Sequence, residues 1–363
     1  MAFQINGLKD KSISFQTSAI ITTSLANLSP GMQGANDVRS NGFLNVLSNM
    51  QNPITTTTLG NEGKIRTVRV SYIRRSLVSA VVTGAGCAVN PTPTYETVDV
   101  PASIIKQESF EVTRDSWKTF QDEAFNKALS LPINNFVMGM LLSKMDAVRT
   151  AINIDLLTSL SSQLGAHVAT GVNTARNLNI LNASTGQALF TGYQEMLSEQ
   201  ALSDFKGKWY TISDASSAYY KSLIGLKYGG SSDGGIDFQK VNVVGQELNN
   251  FVDNNVDDIF GSNRVVAIDD GSCQMFTALS NVGANEGLHA GTYYSTLQDP
   301  IFPNLYYDMF ISEKDCNNGG VLNGTIVIRI LASVGLFVPP NAYQVGDEKV
   351  GYRGNRLYNL LAV

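Results

Sequence analysis

The amino-acid sequence predicts an α+β fold, and three patterns in its 363 residues lead to that class. Stretches near both ends alternate apolar and polar residues with a period of two, which predicts β-strands. One long apolar stripe with helical spacing lies in the middle of the chain. Short helical and strand patterns alternate between that stripe and the C-terminal strands. Together these patterns predict extended hairpins combined with one long helix.

The composition excludes several classes of protein. Charged residues make up 16% of the chain and the formal net charge is -5, so a basic nucleic-acid-binding domain is not expected. Three widely spaced cysteines exclude a disulfide framework, and two histidines leave few metal ligands or general bases. We therefore expect no cofactor, no metal and no catalytic site. No apolar stretch reaches the roughly 18 residues of a membrane helix, and no secretory signal is present, so synthesis in the cytoplasm is expected.

The first 61 residues, 1–61, predict an arm. They are rich in Ser, Thr, Asn and Gln and have few charges. Apart from a short helix predicted at Asn41–Met50, they have no sustained period and too little apolar content for a core of their own. This arm is expected to gain its order from contacts with something else.

The next segment, 62–112, predicts a long β-hairpin. Ile65–Ile73 alternates apolar and polar residues, and the chain returns through Tyr95–Val100 and Ile104–Val112 after a turn-rich stretch. A ribbon of this kind is unstable alone in water, so it must lie on another surface.

Two helices are predicted after the hairpin. Asp115–Leu131 begins at a plausible N-cap and ends where Pro132 enforces a break. Apolar residues spaced by three and four then form one stripe over Ile133–Leu164, a rod of about 48 Å at 1.5 Å per residue. Asp155 lies at the margin of this stripe, where a hydrogen-bonded structural acid is favoured over a catalytic one.

The remainder predicts a mixed region and a second hairpin. Further helices are predicted at 192–202 and 214–223, and strands at 208–212, 241–244 and 265–268. Two long strands, Leu305–Ile311 and Thr325–Val338, flank an Asn/Gly-rich turn at Cys316–Gly320. They predict another extended hairpin.

One motif suggests nucleophilic catalysis. Ser232 lies in a G-x-S-x-G match, and Asp269 or Asp270 and then His289 follow in the order of an α/β-hydrolase triad. That motif requires a strand leading into the serine and a helix leaving it, and the flanking glycine-rich sequence predicts neither. A flexible loop is favoured, with a serine hydrolase as an alternative.

The acidic segment Asp253–Asp258 offers oxygen ligands for a hard cation. An EF-hand loop needs a glycine at its sixth position and a glutamate at its twelfth, and this spacing is absent. A solvated polar loop is therefore predicted.

The order of these parts resembles the major capsid protein of tailed bacteriophages, which has the Hong Kong 97 fold. Three segments carry the resemblance together with that order. Ala147–Leu160 (AVRTAINIDLLTSL) resembles the family's spine helix, Gly207–Leu223 (GKWYTISDASSAYYKSL) the opening of its axial domain, and Ile328–Gly346 (IRILASVGLFVPPNAYQVG) its final strand. The implied parts are an N-terminal arm 1–61, an extended loop 62–112, a peripheral domain 113–204 and 296–335 with the spine helix, and an axial domain 205–295 and 336–363.

The resemblance implies a structural protein without enzymatic activity. Identical copies would self-assemble as hexamers and pentamers into the icosahedral head of a virion, built in the host cytoplasm around double-stranded DNA. A separate scaffolding protein and a portal are implied, because 1–61 is too short and too uncharged to be a fused scaffold. Decoration proteins are compatible with this, and no membrane is involved. An encapsulin-type nanocompartment shell is the alternative, followed by a tail or adhesion protein.

Charged residues of the extended loop are the candidate intersubunit contacts. Their signs are nearly balanced, which favours pairing within the ribbon or with a neighbouring copy. Some members of the family that the chain resembles weld their shells with Lys–Asn isopeptide bonds from the extended loop. Because no lysine lies between Lys64 and Lys106, the resemblance here implies non-covalent locking of the shell. The candidates are Arg66, Arg69, Arg74, Glu96, Asp99, Glu108 and Glu111.

Overall fold

The computed structural model describes residues 41–50, 55–58, 67–73, 95–113, 132–165, 167, 174–185, 187–189, 191–202, 208–215, 217, 240–243, 246–279, 287–289, 292–318, 321–338 and 354–362. Two compact units divide these residues, and each unit combines segments that are distant in sequence. Unit 1 contains Ala102–Asn153 and Phe276–Gly335, and unit 2 contains Arg39–Pro101, Ile154–Met275 and Leu336–Val363. The domain boundaries implied by the resemblance stay a prediction.

The described residues form an α+β fold, as predicted. The helices are α1 (Gly42–Asn49), α2 (Pro132–Ser161), α3 (Thr191–Leu202) and α4 (Asn255–Phe260). The strands are β1 (Thr55–Thr58), β2 (Thr67–Ile73), β3 (Tyr95–Pro101), β4 (Ile104–Thr113), β5 (Arg176–Asn182), β6 (Gln187–Ala188), β7 (Trp209–Ser213), β8 (Lys240–Val243), β9 (Gln246–Val252), β10 (Arg264–Asp269), β11 (Gln274–Thr277), β12 (Gly287–His289), β13 (Thr292–Gln298), β14 (Tyr306–Asn318), β15 (Val321–Phe337) and β16 (Asn355–Ala362).

A six-stranded sheet is the framework of unit 1. Its order is β11-β15-β14-β13-β12, and β4 pairs with β15. The predicted C-terminal hairpin is confirmed, because β14 and β15 pair antiparallel down to Asn318 opposite Val321. One face of β15 buries Ile326, Ile328 and Ile330. This is the face toward α2, since the register places Glu108 opposite Ile330 and Glu108 bonds to a lysine of α2.

Helix α2 confirms the long helix predicted from the apolar stripe. It begins at Pro132, where the missing N–H of proline is harmless in the first turn, and it ends three residues before the predicted Leu164. The side chains of Leu141, Ile152 and Leu156 are fully buried along the stripe. The preceding helix predicted at 115–131 lies outside the described residues.

Unit 2 contains a seven-stranded sheet of order β6-β5-β16-β10-β7-β9-β8. The pairs β5–β16 and β7–β9 are parallel, whereas β7–β10 and β10–β16 are antiparallel. One face carries the core cluster of Leu178, Ile180, Met196, Trp209, Val265, Ala267, Tyr358 and Leu360. Met196 belongs to α3, so that helix covers this face.

Helix α1 shows that one part of the predicted arm 1–61 gains its order from contacts within its own chain. Phe43, Leu44 and Val46 are fully buried, and α1 packs against β7 and β9 of its own chain. The approach is so close that a Cβ on Gly42 would lie 2.5 Å from the carbonyl oxygen of Val252. The apolar residues on one face of α1 are enough to hold this short helix against β7 and β9. Residues 1–40 lie outside the described part of the chain.

The predicted hairpin at 62–112 is also too long. Strands β1, β2 and β3 form a three-stranded sheet of their own, which we call the ribbon, in which β2 pairs with β3 as predicted. Strand β4 instead pairs with β15 along ten residues. The physical reason is burial, because Phe110 and Val112 of β4 enter the core of unit 1. Alternation alone cannot distinguish the two sheets.

The segment Asp253–Asp258 is not the solvated loop that was predicted. Residues from Asn255 onward form α4, which is anchored by buried Val256 and Phe260. Asp253 is fully buried, and it accepts hydrogen bonds from the backbone N–H groups of Phe43 at 3.2 Å and Asn255 at 3.1 Å. The acid therefore joins α1 to the start of α4.

Candidate intersubunit surface

The ribbon has one buried face and one polar face. Strand alternation places Val68, Val70 and Val100 on the buried side. Arg69 and Asp99 project from the opposite side, directly across from one another in the β2–β3 register. This explains why the sequence pattern of period two located the charged face correctly.

Arg69 and Asp99 form a bidentate ion pair on the polar face. The Nε–Oδ1 distance is 2.8 Å and the Nη2–Oδ2 distance is 3.1 Å, with 45% and 46% of the side chains exposed. The hydrogen bond raises the pKa of Arg69 and lowers the pKa of Asp99, so both groups stay charged. The pair uses two of the five N–H donors of the guanidinium group. Further acceptors can therefore bind to it.

The two acidic candidates on β4 lie on opposite sides of the sheet. Glu108 faces α2 and accepts a hydrogen bond from Lys144 Nζ at 3.1 Å, which assigns it a bond within unit 1. Glu111 lies on the other side and is exposed, together with Ile105, Gln107 and Ser109. Of these two acids, Glu111 is thus the one on the side of the sheet away from α2.

This second side of the unit 1 sheet, which we call the outer face, combines apolar and charged groups. In the register, Ser109 lies opposite Arg329, and Arg329 lies opposite Phe310. The guanidinium carbon of Arg329 is 4.6 Å from the centre of the Phe310 ring, a cation–π contact. Ile105 and Tyr306 are large exposed side chains on the same face. The outer face consists of Ile105, Gln107, Ser109, Glu111, Tyr306, Phe310, Val327, Arg329 and Leu331.

The structure does not describe every candidate. Arg66 and Arg74 lie outside the described residues, and the same is true of the side chain of Glu96. Asp155 is half-buried on α2, next to the fully buried Leu156. Its assignment as a structural acid stays a prediction.

Sequence reasoning missed a buried ion pair in unit 1. Arg149 Nε on α2 donates to Asp299 Oδ2 at 2.7 Å, and the two side chains are 1% and 0% exposed. The Tyr307 hydroxyl donates to the same oxygen at 2.6 Å. Burial, followed by the charge of Asp299, raises the pKa of Tyr307 well above its usual value. The only signal in the sequence was an arginine beside the apolar stripe of the long helix.

A second buried cluster in unit 2 was also missed. His167 Nδ1 is 3.0 Å from Glu199 Oε1, and the other carboxylate oxygen accepts hydrogen bonds from Arg176 at 2.9 Å and from the Tyr358 hydroxyl at 3.2 Å. In the sequence, His167 stands out only as one of two histidines. Because these residues come from distant parts of the chain, no local pattern connects them.

The candidate chemistry of the sequence gains no support from the described residues. Ser232 and the side chain of His289 lie outside them, and Asp269 is buried in β10. Burial raises the pKa of the Cys273 thiol to about 12, which makes it unreactive. Within the described ranges, no group of three or more His, Cys, Asp or Glu residues could hold a metal ion. None of the described helices is long and apolar enough to cross a membrane.

These features define the class of protein: an α+β chain of two discontinuous units, with a separate β-ribbon that carries an exposed ion pair. No family model matches the chain, and no curated protein matches it. Among solved structures, it is similar to the Cyanophage A-1(L) capsid asymmetric unit, with a TM-score of 0.45 and 12% identity over 88% of this chain and 92% of that chain. It is similar to a Mycobacterium phage Bobi structure with a TM-score of 0.41 and 9% identity, covering 89% and 90% of the two chains. It is also similar to the capsid of an empty GTA particle, with a TM-score of 0.39 and 10% identity over 90% of this chain and 91% of that chain.

Proposed function

We propose that the protein is the major shell subunit of a bacteriophage head. Identical copies assemble as hexamers and pentamers into an icosahedral container for double-stranded DNA, with a separate scaffolding protein and a portal. Its place is the virion, and no catalysis or cofactor takes part. Because the formal net charge of the subunit is -5, the shell encloses nucleic acid without binding it tightly.

The observation that carries this proposal is the ribbon. A narrow three-stranded sheet forms no ladder with either large sheet within the described part of the chain. Such an element is weakly stable alone, so it suits a contact with another surface. Its polar face presents a cation and an anion side by side, with hydrogen-bonding capacity left over.

The outer face of unit 1 is the surface we assign to the ribbon of a neighbouring copy. Among its described side chains, it presents the cation Arg329 and the anion Glu111 on neighbouring strands. The charges of the two surfaces can meet with opposite signs in contact, while Ile105 and Phe310 supply apolar area. Closed symmetry repeats each such contact many times, so weak pairs add up to a durable shell.

Electron microscopy of the recombinant protein, co-expressed with the genes beside its own, tests the proposal. Closed shells are expected, and copurified DNA would identify a virus head. A soluble monomer under all conditions would contradict the proposal, and an enzyme cargo in place of DNA would indicate a nanocompartment.

The variant Arg69→Glu tests the ribbon within the same experiment. It places two acids opposite one another, so we expect a several-fold lower yield of shells with an unchanged circular dichroism spectrum. Arg176→Glu does not serve as a control because it alters a buried cluster, whereas Lys208→Glu, at an exposed position before β7, does. Equal shell yields for Arg69→Glu and Lys208→Glu would show that the polar face of the ribbon does not take part in the assembly contact.

A further inference from the structure

Arg264 is a half-buried arginine at the start of β10 that the fold does not neutralise. Within the described part of the chain, its guanidinium group forms no ion pair and no hydrogen bond. By contrast, Arg69 and Arg176 are each bonded to an acid, and Arg329 lies over an aromatic ring. The guanidinium group of Arg264 therefore has its hydrogen-bond donors available for an anion from outside the subunit.

Arg264 belongs to a row of hydrogen-bond donors that crosses three strands. It lies directly opposite Asn359 of β16, and Asn359 lies beside Asn177 of β5. We call these three residues the donor row. Neighbouring strands are about 4.8 Å apart, so the donor row spans about 10 Å. Asn359 Nδ2 donates to Asn177 Oδ1 at 3.0 Å, so the amide of Asn177 keeps both of its own N–H groups for another acceptor.

The donor row lies on the face of the unit 2 sheet opposite the core cluster. The adjacent residues along the three strands, Val265, Tyr358 and Leu178, belong to that cluster. Asn177 is exposed, and Leu361, on the same face further along β16, is 38% exposed. Among the described residues of β5, β10 and β16, none on this face is acidic. An anion can therefore reach the row without repulsion from these strands.

Gly261 leaves room for the side chain of Arg264. A Cβ at position 261 would lie 3.4 Å from Arg264 Nε and 3.6 Å from Arg264 Cζ, so the arginine lies against the bare backbone of this glycine. The φ of +96° also favours glycine here. Asp257 and Asp258 precede Gly261 on α4, yet in the described structure neither pairs with Arg264. The cation is thus held in position and keeps its charge uncompensated.

We propose that the donor row binds phosphate groups of the double-stranded DNA that the shell encloses. Arginine and asparagine side chains are among the donors that proteins use on phosphate oxygens, and such contacts do not read the base sequence. One cation in each copy gives a weak contact, which agrees with the net charge of -5. This end of unit 2 then faces the interior of the shell. The inference deepens the proposed function and takes the identity of the polyanion from it.

The length of the donor row favours phosphates over a carboxylate of a protein partner. A single carboxylate fills only part of a row of about 10 Å. The phosphates of one DNA strand follow one another every 3.4 Å or about that distance along the duplex axis. Successive phosphates can therefore engage Arg264 and the two amides together.

The salt dependence of duplex binding tests the donor row. Full-length protein, kept unassembled, is titrated against a short fluorescein-labelled DNA duplex, and anisotropy gives the binding constant K between about 20 and 200 mM NaCl. For Arg264→Gln, we expect several-fold weaker binding at low salt. The plot of log K against log [NaCl] should be shallower by about 0.9, the value for one phosphate contact. Lys208→Gln is the matched control and should keep the slope, because this exposed lysine precedes β7 at the other end of the sheet. Equal slopes for the two variants would overturn the inference.

The variant Asn177→Asp tests the amide part of the donor row. A carboxylate oxygen still accepts from Asn359 Nδ2, so the contact between the strands is kept, but two donors are replaced by a negative charge. The change in net charge is the same as in Lys208→Gln. We expect Asn177→Asp to bind the duplex several-fold more weakly than Lys208→Gln does. Equal affinities would contradict the inference.

Hydroxyl-radical footprinting locates the bound duplex on the protein. Oxidation of Leu361 should fall when the duplex is added, because this exposed side chain shares the face of the donor row. Oxidation of Ile105, an exposed side chain of unit 1, should not change. Unchanged oxidation of Leu361 would place the duplex elsewhere and overturn the inference.

These measurements separate the inference from the proposed function. If shells enclose DNA but Arg264→Gln binds the duplex as the natural sequence does, the inference is wrong and the proposed function stands. If duplex binding depends on Arg264 but no shells form, the donor row is supported and the proposed function is contradicted. A lower shell yield for Arg264→Gln with unchanged duplex binding would mean that the row contacts a neighbouring subunit, which also overturns the inference.

Discussion

Two Arg–Asp pairs in this chain have nearly the same bond length and opposite surroundings. Arg149 and Asp299 are 2.7 Å apart in the interior of unit 1, while Arg69 and Asp99 are 2.8 Å apart on the exposed face of the ribbon. Asp299 also accepts from the Tyr307 hydroxyl and from two backbone N–H groups, at 2.8 and 2.9 Å. Burial, and not bond length, therefore separates a pair that the fold requires from one that the fold tolerates losing.

The largest effect is expected from Asp299→Asn. The amide nearly keeps the shape of the side chain but removes the carboxylate charge at 2.7 Å from Arg149 Nε, so a buried cation loses this counter-charge. We expect a loss of about 3–5 kcal/mol in the free energy of unfolding, measured in urea. Asp99→Asn is the matched variant on the ribbon and should unfold like the natural sequence. If both variants unfold alike, burial does not distinguish the pairs.

An intermediate effect is expected at Glu199 in acid. Its pKa in the folded protein is about 2 against an ordinary value of 4.5, so its stabilising contribution is complete above about pH 4.5 and is lost as the pH falls toward 2. The difference in melting temperature between the natural sequence and Glu199→Gln should shrink over that window. The same measurement on Glu195→Gln, at an exposed position of the same helix, is the control for the loss of one acid. A pH-independent difference for Glu199→Gln would mean that the acid is not held ionised.

The smallest effect on stability is expected from exchanging the exposed pair. The double variant Arg69→Asp with Asp99→Arg restores an ion pair of reversed direction across the same two strands. Its melting temperature should equal that of the natural sequence. If the pair acts between copies, shell yield should nevertheless fall, because the partner surface still has the original order of charges. A clear loss of stability would show that the ribbon pair is fixed by its surroundings, as the interior pair is.

Sequence patterns predicted the elements that depend on local periodicity. The apolar stripe over Ile133–Leu164 predicted α2. The alternation in Ile65–Ile73 predicted β2, and it correctly placed Arg69 on the side opposite the valines. The Asn/Gly turn placed the β14–β15 hairpin. In each case one face of a regular element is apolar, and that property is visible within a few residues.

The errors arose where long-range contacts decide the outcome. Strand β4 has the same alternation as the ribbon, and only its pairing with β15 assigns it to another sheet. Asp253 looked like part of a solvated loop because the backbone N–H of Phe43, which it binds, lies far away in sequence. The two buried charge clusters were missed for the same reason, since their members meet only in the folded chain.

Strand β16 lies in the middle of the seven-stranded sheet, between β5 and β10. Residues 355–362 must therefore emerge from the ribosome before that sheet can form completely. Until then, β5 and β10 lack the strand that pairs with both of them. Nascent chains consequently cannot complete unit 2 until this strand has been synthesised, although β5 and β10 precede it in the chain.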